Sequence, residues 1–358
     1  MSEIEIKQGS LKRKVTNFSK PFIIAEIGVN HNGSLKVAKK LIDISKKVGA
    51  DAVKFQTFSS ELLVLADTKK ARYQEKNTLK KENQLEMLKG LELSINQLKE
   101  LQKYTVNKGL FFSTTPYSFE DIDKIKMLNL PFVKAASIHC SEPIFLEQLS
   151  KLEIPVILST GLSDMSSVLT ASKILKKRLN NRYVILQCTT NYPVSLQEAN
   201  INVLDTFRKA NFTVGFSDHT ENNIASLLAL SKGACVFEKH ITLDKKHLGP
   251  DHYASLDEKE FKNYVDSLKM GHMALGIKEK KLTDSEKVNF SQMKRSMYLN
   301  KDLLKGHQLK LEDINFMRPY KKASEIKDIN KFLGKKINLD VKKFTLLTTK
   351  LINVNDQT

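Results

Sequence analysis

The chain has 358 residues, 41% of them hydrophobic, and a formal charge of +18. That length and apolar content suit one large core plus a smaller unit, and exclude a disordered or fibrous chain. The charge invites a nucleic-acid partner. However, the excess is mostly Lys on apparent helix faces such as KKLIDISKK and KILKKR, without the interleaved aromatics of a nucleic-acid surface. We read it as a solvated surface whose field favours anionic small molecules, with no nucleic-acid partner expected.

The first residues, MSEIEIKQGSLKRKV, lack an apolar signal region, and no run approaches the roughly 18 apolar residues of a membrane helix, so a cytoplasmic protein without a membrane partner is expected. Cys140, Cys188 and Cys235 are too scattered for a disulfide framework or a zinc site and read as reduced thiols. In chain order, short apolar runs then alternate with helix-period segments. The runs are FIIAEIGV (22–29), AVKFQTF (52–58), LFFSTTP (110–116), FVKAAS (132–137), PVILSTG (155–161), YVILQCT (183–189), FTVGFSD (212–218) and CVFEKHIT (235–242). Between them lie amphipathic stretches such as SLKVAKKLIDISKKVG and INQLKELQKYTVNKG, several ended by Gly.

Strands apolar on both faces, each followed by a helix, imply a parallel sheet, and eight such units imply an α/β fold of the (β/α)8 barrel type. A doubly wound open sheet is the alternative; the count of eight and the lack of a GxGxxG turn favour the barrel. In a barrel the functional rim lies at the C-terminal ends of the strands. Those ends carry Glu26, Asn30 and His31; Lys54 and Gln56; Ser113, Thr114 and Thr115; Lys134 and Ser137; Ser159 and Thr160. The last three add Thr189, Thr190 and Tyr192; Ser217, Asp218 and His219; and Glu238, Lys239, His240 and Thr242.

An unpaired ammonium within a strand is costly to desolvate, so Lys54 and Lys134 each require an anion, either a substrate or a structural carboxylate. Neighbouring hydroxyls and loop amides suit a phosphate or carboxylate cradle. His219 and His240 end adjacent strands, so their imidazoles can meet; two His with oxygen ligands and water suit a divalent ion, although capping or core histidines explain such a pair equally well. Glu26 sits as an apparently unpaired carboxylate near the rim, placed for proton transfer, whereas Asn30 and His31 shape the loop. Beyond a polar linker at 281–293, a helix or a loop, residues 294–358 form a compact β-rich unit small enough to need a partner surface.

The segments FIIAEIGVNHNG, FSDHT, EKHITLD, GPDHYASL and RSMYLNKDLLKG…LEDINFMRP together resemble the bacterial sialic acid synthase family, over nearly the whole chain. The resemblance implies a (β/α)8 TIM barrel at 1–280 and an antifreeze-like (SAF, β-clip) domain at 294–358, in a domain-swapped homodimer. It also implies condensation of phosphoenolpyruvate with an open-chain N-acyl amino-sugar, phosphate leaving by C–O cleavage. By the same resemblance Glu26 is the acid/base group, and His219 and His240 hold a divalent ion, Mn²⁺ before Mg²⁺ or Co²⁺. Lys54, Thr115, Lys134, Ser137, Thr190 and Ser217 fall on the positions that cradle phosphate and carboxylate. Gln56, Asn77, Tyr192 and Asp251 fall on sugar-binding positions, and Arg318 on the Arg that meets the N-acyl group. The chain departs from the family pattern at Ile138 and His139, where a Gly-Glu pair is usual, at Thr190, where an Asn or Ser often binds phosphate, and at Tyr320, Lys321 and Lys322, where a Gly-rich loop is usual. The expected product is N-acetylneuraminate, then legionaminate, then pseudaminate; the reading of another class is an inactive carbohydrate-binding relative.

Overall fold

The computed structural model describes residues 3–78 and 81–352. The chain divides into two compact units, Met1–Gly276 and Ile277–Thr358. In the first, eight parallel strands form one sheet: β1 (Phe22–Gly28), β2 (Ala52–Thr57), β3 (Phe111–Pro116), β4 (Val133–Ala135), β5 (Val156–Ser159), β6 (Tyr183–Cys188), β7 (Val214–Asp218) and β8 (Val236–His240). Their order is β3-β2-β1-β8-β7-β6-β5-β4, and β1 and β8 pair side by side with Glu26 opposite His240. The seam between β3 and β4 is bridged by Ser113 Oγ, which donates to Phe132 O at 2.9 Å. This is the nearly closed (β/α)8 barrel expected from the alternating pattern.

Every expected strand is present, with trimmed ends. The run 132–137 shrinks most, because Ser137–Ser141 turns into a 3₁₀ segment straight after Ala135. Outward strand residues such as Ile23, Ala25, Val53 and Phe55 join helix residues such as Leu41, Leu98 and Val265 in the main core. The first barrel helix, Leu35–Val48, shows why these segments start and stop where they do. Ser34 Oγ accepts from Val37 N at its start, and Gly49 at φ 85° ends it in the left-handed region that side chains with a Cβ disfavour.

One element escaped the sequence reading. Residues Ile4–Gln8 and Leu11–Val15 form an antiparallel hairpin, although the alternation in IEIKQ, buried at Ile4, Ile6 and Gln8, carries the period-two signal. Ile4, Ile6 and Val15 pack with Phe22, Phe111, Phe132, Ile157 and Val236 from the strand starts, closing the barrel end opposite the rim. Gln8 Oε1 also accepts from Phe112 N at 2.8 Å. Ile6→Ala is expected to lower unfolding free energy by about 2–5 kcal/mol, measured from the urea midpoint, because the floor cannot collapse onto the gap.

The second unit has its own core, including Met297, Leu299, Leu309, Phe332 and Leu347. Among the described residues its only named strands are Ser296–Leu299 and Ile314–Met317, paired antiparallel. The stretch read as a linker contains a helix, Asp284–Met293, started by a capping box between Thr283 and Glu286. No helix among the described residues is long and apolar enough to cross a membrane.

Candidate active site

The strand ends of the barrel gather four buried charged side chains. Lys54 Nζ lies 3.0 Å from Glu26 Oε1 and 3.8 Å from Glu238 Oε2, and donates to Thr115 Oγ1 at 2.9 Å. Lys134 Nζ lies 3.8 Å from Glu238 Oε1 and donates to Ser159 Oγ at 2.7 Å and to Ala135 O at 2.9 Å. Ser217 Oγ donates to Glu238 Oε1 at 3.1 Å, and Gln56 Nε2 donates to Glu26 Oε1 at 3.2 Å. The anion required by the two lysines is therefore met inside the protein by two carboxylates. Glu26, which the sequence suggests is unpaired, is paired on Oε1; its Oε2 is buried without a partner.

The electrostatics separate these carboxylates. Burial alone raises both, but at Glu238 the ammonium groups of Lys134 and Lys54 outweigh it and hold the carboxyl below its ordinary range. At Glu26 burial dominates: Lys54 pulls down, Glu238 pushes up, and the group reaches about 7. Lys54 keeps its proton against burial because Glu238 and Glu26 face it. Of these two, Glu26 is thus the carboxyl that exchanges a proton near neutral pH, the property an acid/base group needs.

A second cluster lies at the ends of β6, β7 and β8. The rings of His219 and His240 are 5.6 Å apart, and the Tyr192 ring lies tilted 4.1 Å from His219 and edge-on 5.7 Å from His240. His219 Nδ1 donates to Thr189 O at 2.8 Å; burial opposes a charge on this ring, but Cys188 beside it holds the imidazole above its ordinary range. His240 is kept neutral, chiefly by burial and then by His219 beside it, and its Nδ1 is buried without a hydrogen-bond partner. Asp251 Oδ2 stands 3.9 Å from that nitrogen, and burial lifts its carboxyl to about 6. Among the described residues no group of three His, Cys, Asp or Glu is arranged to hold a metal. The two imidazoles nevertheless fit as a pair of ligands that leave open positions for substrate, His240 already neutral and His219 giving up its proton on binding the ion.

Ser137 Oγ accepts from Gly161 N at 3.0 Å. Thr190 Oγ1 is buried without a partner, and a Cβ on Gly161 would sit 2.2 Å from it and 2.9 Å from Ser137 Oγ, so only glycine leaves this notch open. Asn77 Nδ2 donates to Pro250 O at 2.9 Å, tying its helix to the segment that carries Asp251. Arg318 belongs to the second unit, where its Nε donates to Met293 O at 3.0 Å. As expected, Asn30 and His31 shape the first loop: Asn30 Nδ2 donates to Ile241 O and Ser255 Oγ, and His31 Nδ1 accepts from Gly33 N.

Sequence reasoning named Glu238 among the rim residues but gave it no role; the structure makes it the carboxylate shared by both lysines. Its place between Ser217 and His240 on paired strands is the signal that would have found it. Tyr73, whose ring lies 5.2 Å from Tyr192, was missed altogether. His139, at one of the departures, is buried and stacked on Phe145 with ring centres 3.7 Å apart, and it bonds Glu142 and Pro116 O. It serves packing at that position.

Comparison with known proteins agrees with this geometry. The NeuB family model matches residues 41–280. The N,N'-diacetyllegionaminic acid synthase of Legionella pneumophila is 38% identical over 331 residues, 91% of this chain and 93% of that protein. The human N-acetylneuraminate-9-phosphate synthase is 31% identical over 334 residues, 93% of this chain and 92% of that protein. Among solved structures, the N-acetylneuraminic acid (sialic acid) synthetase of Leptospira borgpetersenii, in complex with citrate, has a TM-score of 0.69 at 28% identity, over 80% of this chain and 95% of that one. The chain belongs to the NeuB family, that of the sialic acid synthases.

Proposed function

We propose that this enzyme is a nonulosonic acid synthase of the legionaminate type, condensing phosphoenolpyruvate with an open-chain 2,4-diacetamido-2,4,6-trideoxy sugar to form a carbon–carbon bond and release phosphate. The observation that carries the sugar assignment is the 38% identity to a legionaminic acid synthase, against 31% to a neuraminate-9-phosphate synthase at similar coverage. It reverses the order expected from the sequence, which put N-acetylneuraminate first.

In this reading the phosphate and carboxylate of phosphoenolpyruvate bind among Lys54, Thr115, Lys134, Ser137, Thr190 and Ser217. The charges there explain a further requirement. Glu26 and Glu238 already balance Lys54 and Lys134, so a polyanionic substrate needs additional positive charge. A divalent ion on His219 and His240 would supply it and would act as a Lewis acid toward the sugar aldehyde. Gln56, Asn77, Tyr192 and Asp251 orient the sugar. Glu26, ionised, takes the proton from the water that adds to C2 of the condensed intermediate, and the adduct then expels phosphate by C–O cleavage.

The test is phosphate release by the full-length protein with phosphoenolpyruvate and Mn²⁺, comparing the 2,4-diacetamido-trideoxy sugar with N-acetylmannosamine. We expect kcat/KM to favour the diacetamido sugar at least tenfold, the scale set by a site that hydrogen-bonds the added amide. A preference for N-acetylmannosamine would return the neuraminate assignment, and no release with any candidate sugar would favour the inactive carbohydrate-binding reading.

A further inference from the structure

Directly behind the two histidines lies a buried ion pair that the reaction itself does not use. On β7 and β8, Ser217 and Glu238 face inward and bond each other, while the next residues, Asp218 and Lys239, are paired in register and face outward. Both side chains are fully buried, with Lys239 Nζ 3.2 Å from Asp218 Oδ1. Asp218 Oδ1 also accepts from Thr220 N at 2.8 Å and from Thr220 Oγ1 at 2.7 Å. Lys239 Nζ in turn donates to Thr220 O. These bonds close a ring, Asp218 to Thr220 to Lys239 and back, that encloses the backbone of His219 and is anchored one residue before His240.

The helices behind complete the ring. Asp218 Oδ2 accepts from Ser226 Oγ at 2.7 Å, and that hydroxyl meets Tyr264 OH at 2.8 Å. Stability does not account for charges here. Elsewhere the layer between strands and helices is filled by residues such as Ile23, Val53 and Phe216, and apolar replacements of a buried pair are often neutral or stabilising. What a charged, hydrogen-bonded ring adds is direction, which apolar packing lacks.

We propose that Asp218 and Lys239, acting through Thr220, are positioning residues that hold the His219 and His240 imidazoles at the separation at which both bind one divalent cation. The inference rests on the reading that these two histidines hold the ion. It is tested on the metal-free full-length protein titrated with Mn²⁺, free ion being followed by electron paramagnetic resonance, together with thermal melting. Four proteins are compared: wild type, H240A, D218N/K239M and T220V. The double variant removes both charges together and so leaves no unpaired buried ion.

The expected result is a D218N/K239M protein that melts close to wild type yet binds Mn²⁺ about 10–100-fold more weakly, the range seen when partners behind metal ligands are lost. T220V should show a smaller loss in the same direction, and it decides the matter if the double variant does not fold. Loss of binding in H240A with D218N/K239M or T220V unchanged overturns the positioning role alone. An H240A protein that binds like wild type overturns the two-histidine reading and this one with it.

Discussion

Glu26→Gln is expected to lower turnover about 10²–10⁴-fold with little change in phosphoenolpyruvate binding, because the amide keeps the shape but cannot take a proton. The size follows from where the carboxyl sits. Its Oε1 is engaged by Lys54 and Gln56, its Oε2 is free and buried, and burial places its titration at about 7. Since the ionised form accepts the proton, kcat/KM of the wild type should rise as pH increases through about 7 and level off above it. In Glu26→Gln that limb should be missing from the residual activity. A variant that retains both its rate and the limb would assign the proton transfer to another group.

The second large effect concerns stability. Among the described residues, Glu238→Ala removes the one carboxylate within 4 Å of Lys134 and the second of the two near Lys54. Breaking a buried pair from one side leaves a charge without compensation and costs about 3–5 kcal/mol, which a urea titration at neutral pH measures. Added inorganic phosphate should restore more stability to this variant than to wild type, since an anion can take the vacated place between the ammonium groups. A loss below about 1 kcal/mol, with no differential effect of phosphate, would mean that the lysines are neutralised otherwise.

These two residues also show how far the sequence could be read. The fold was legible because each strand of a parallel barrel is a short apolar run bounded by an amphipathic helix, and that pattern survives without any knowledge of contacts. The rim was legible for the same reason: Glu26, Lys54, Lys134 and His240 are out of place in apolar strands and His219 directly follows one, so each announces itself. Pairings were not legible. Glu238 bonds Ser217 on the neighbouring strand and faces Lys54 and Lys134 across the barrel, relations fixed by strand register and barrel closure that no local pattern contains. Lys239 and Asp218 were seen as polar rim residues, but only alternation within known strands turns them outward. The N-terminal hairpin was missed although its alternation is plain, because a hairpin preceding the first strand–helix unit falls outside the repeating pattern.

The central claim is that this barrel joins phosphoenolpyruvate to an amino-sugar and expels phosphate by C–O cleavage. Phosphoenolpyruvate labelled with ¹⁸O at the bridging position tests it most directly, with the phosphate and the acid product both weighed by mass spectrometry. The account predicts that the label leaves entirely with phosphate, that a nine-carbon keto acid forms in equal amount, and that neither appears without sugar. Label retained in the organic product, or phosphate released without sugar, would contradict it.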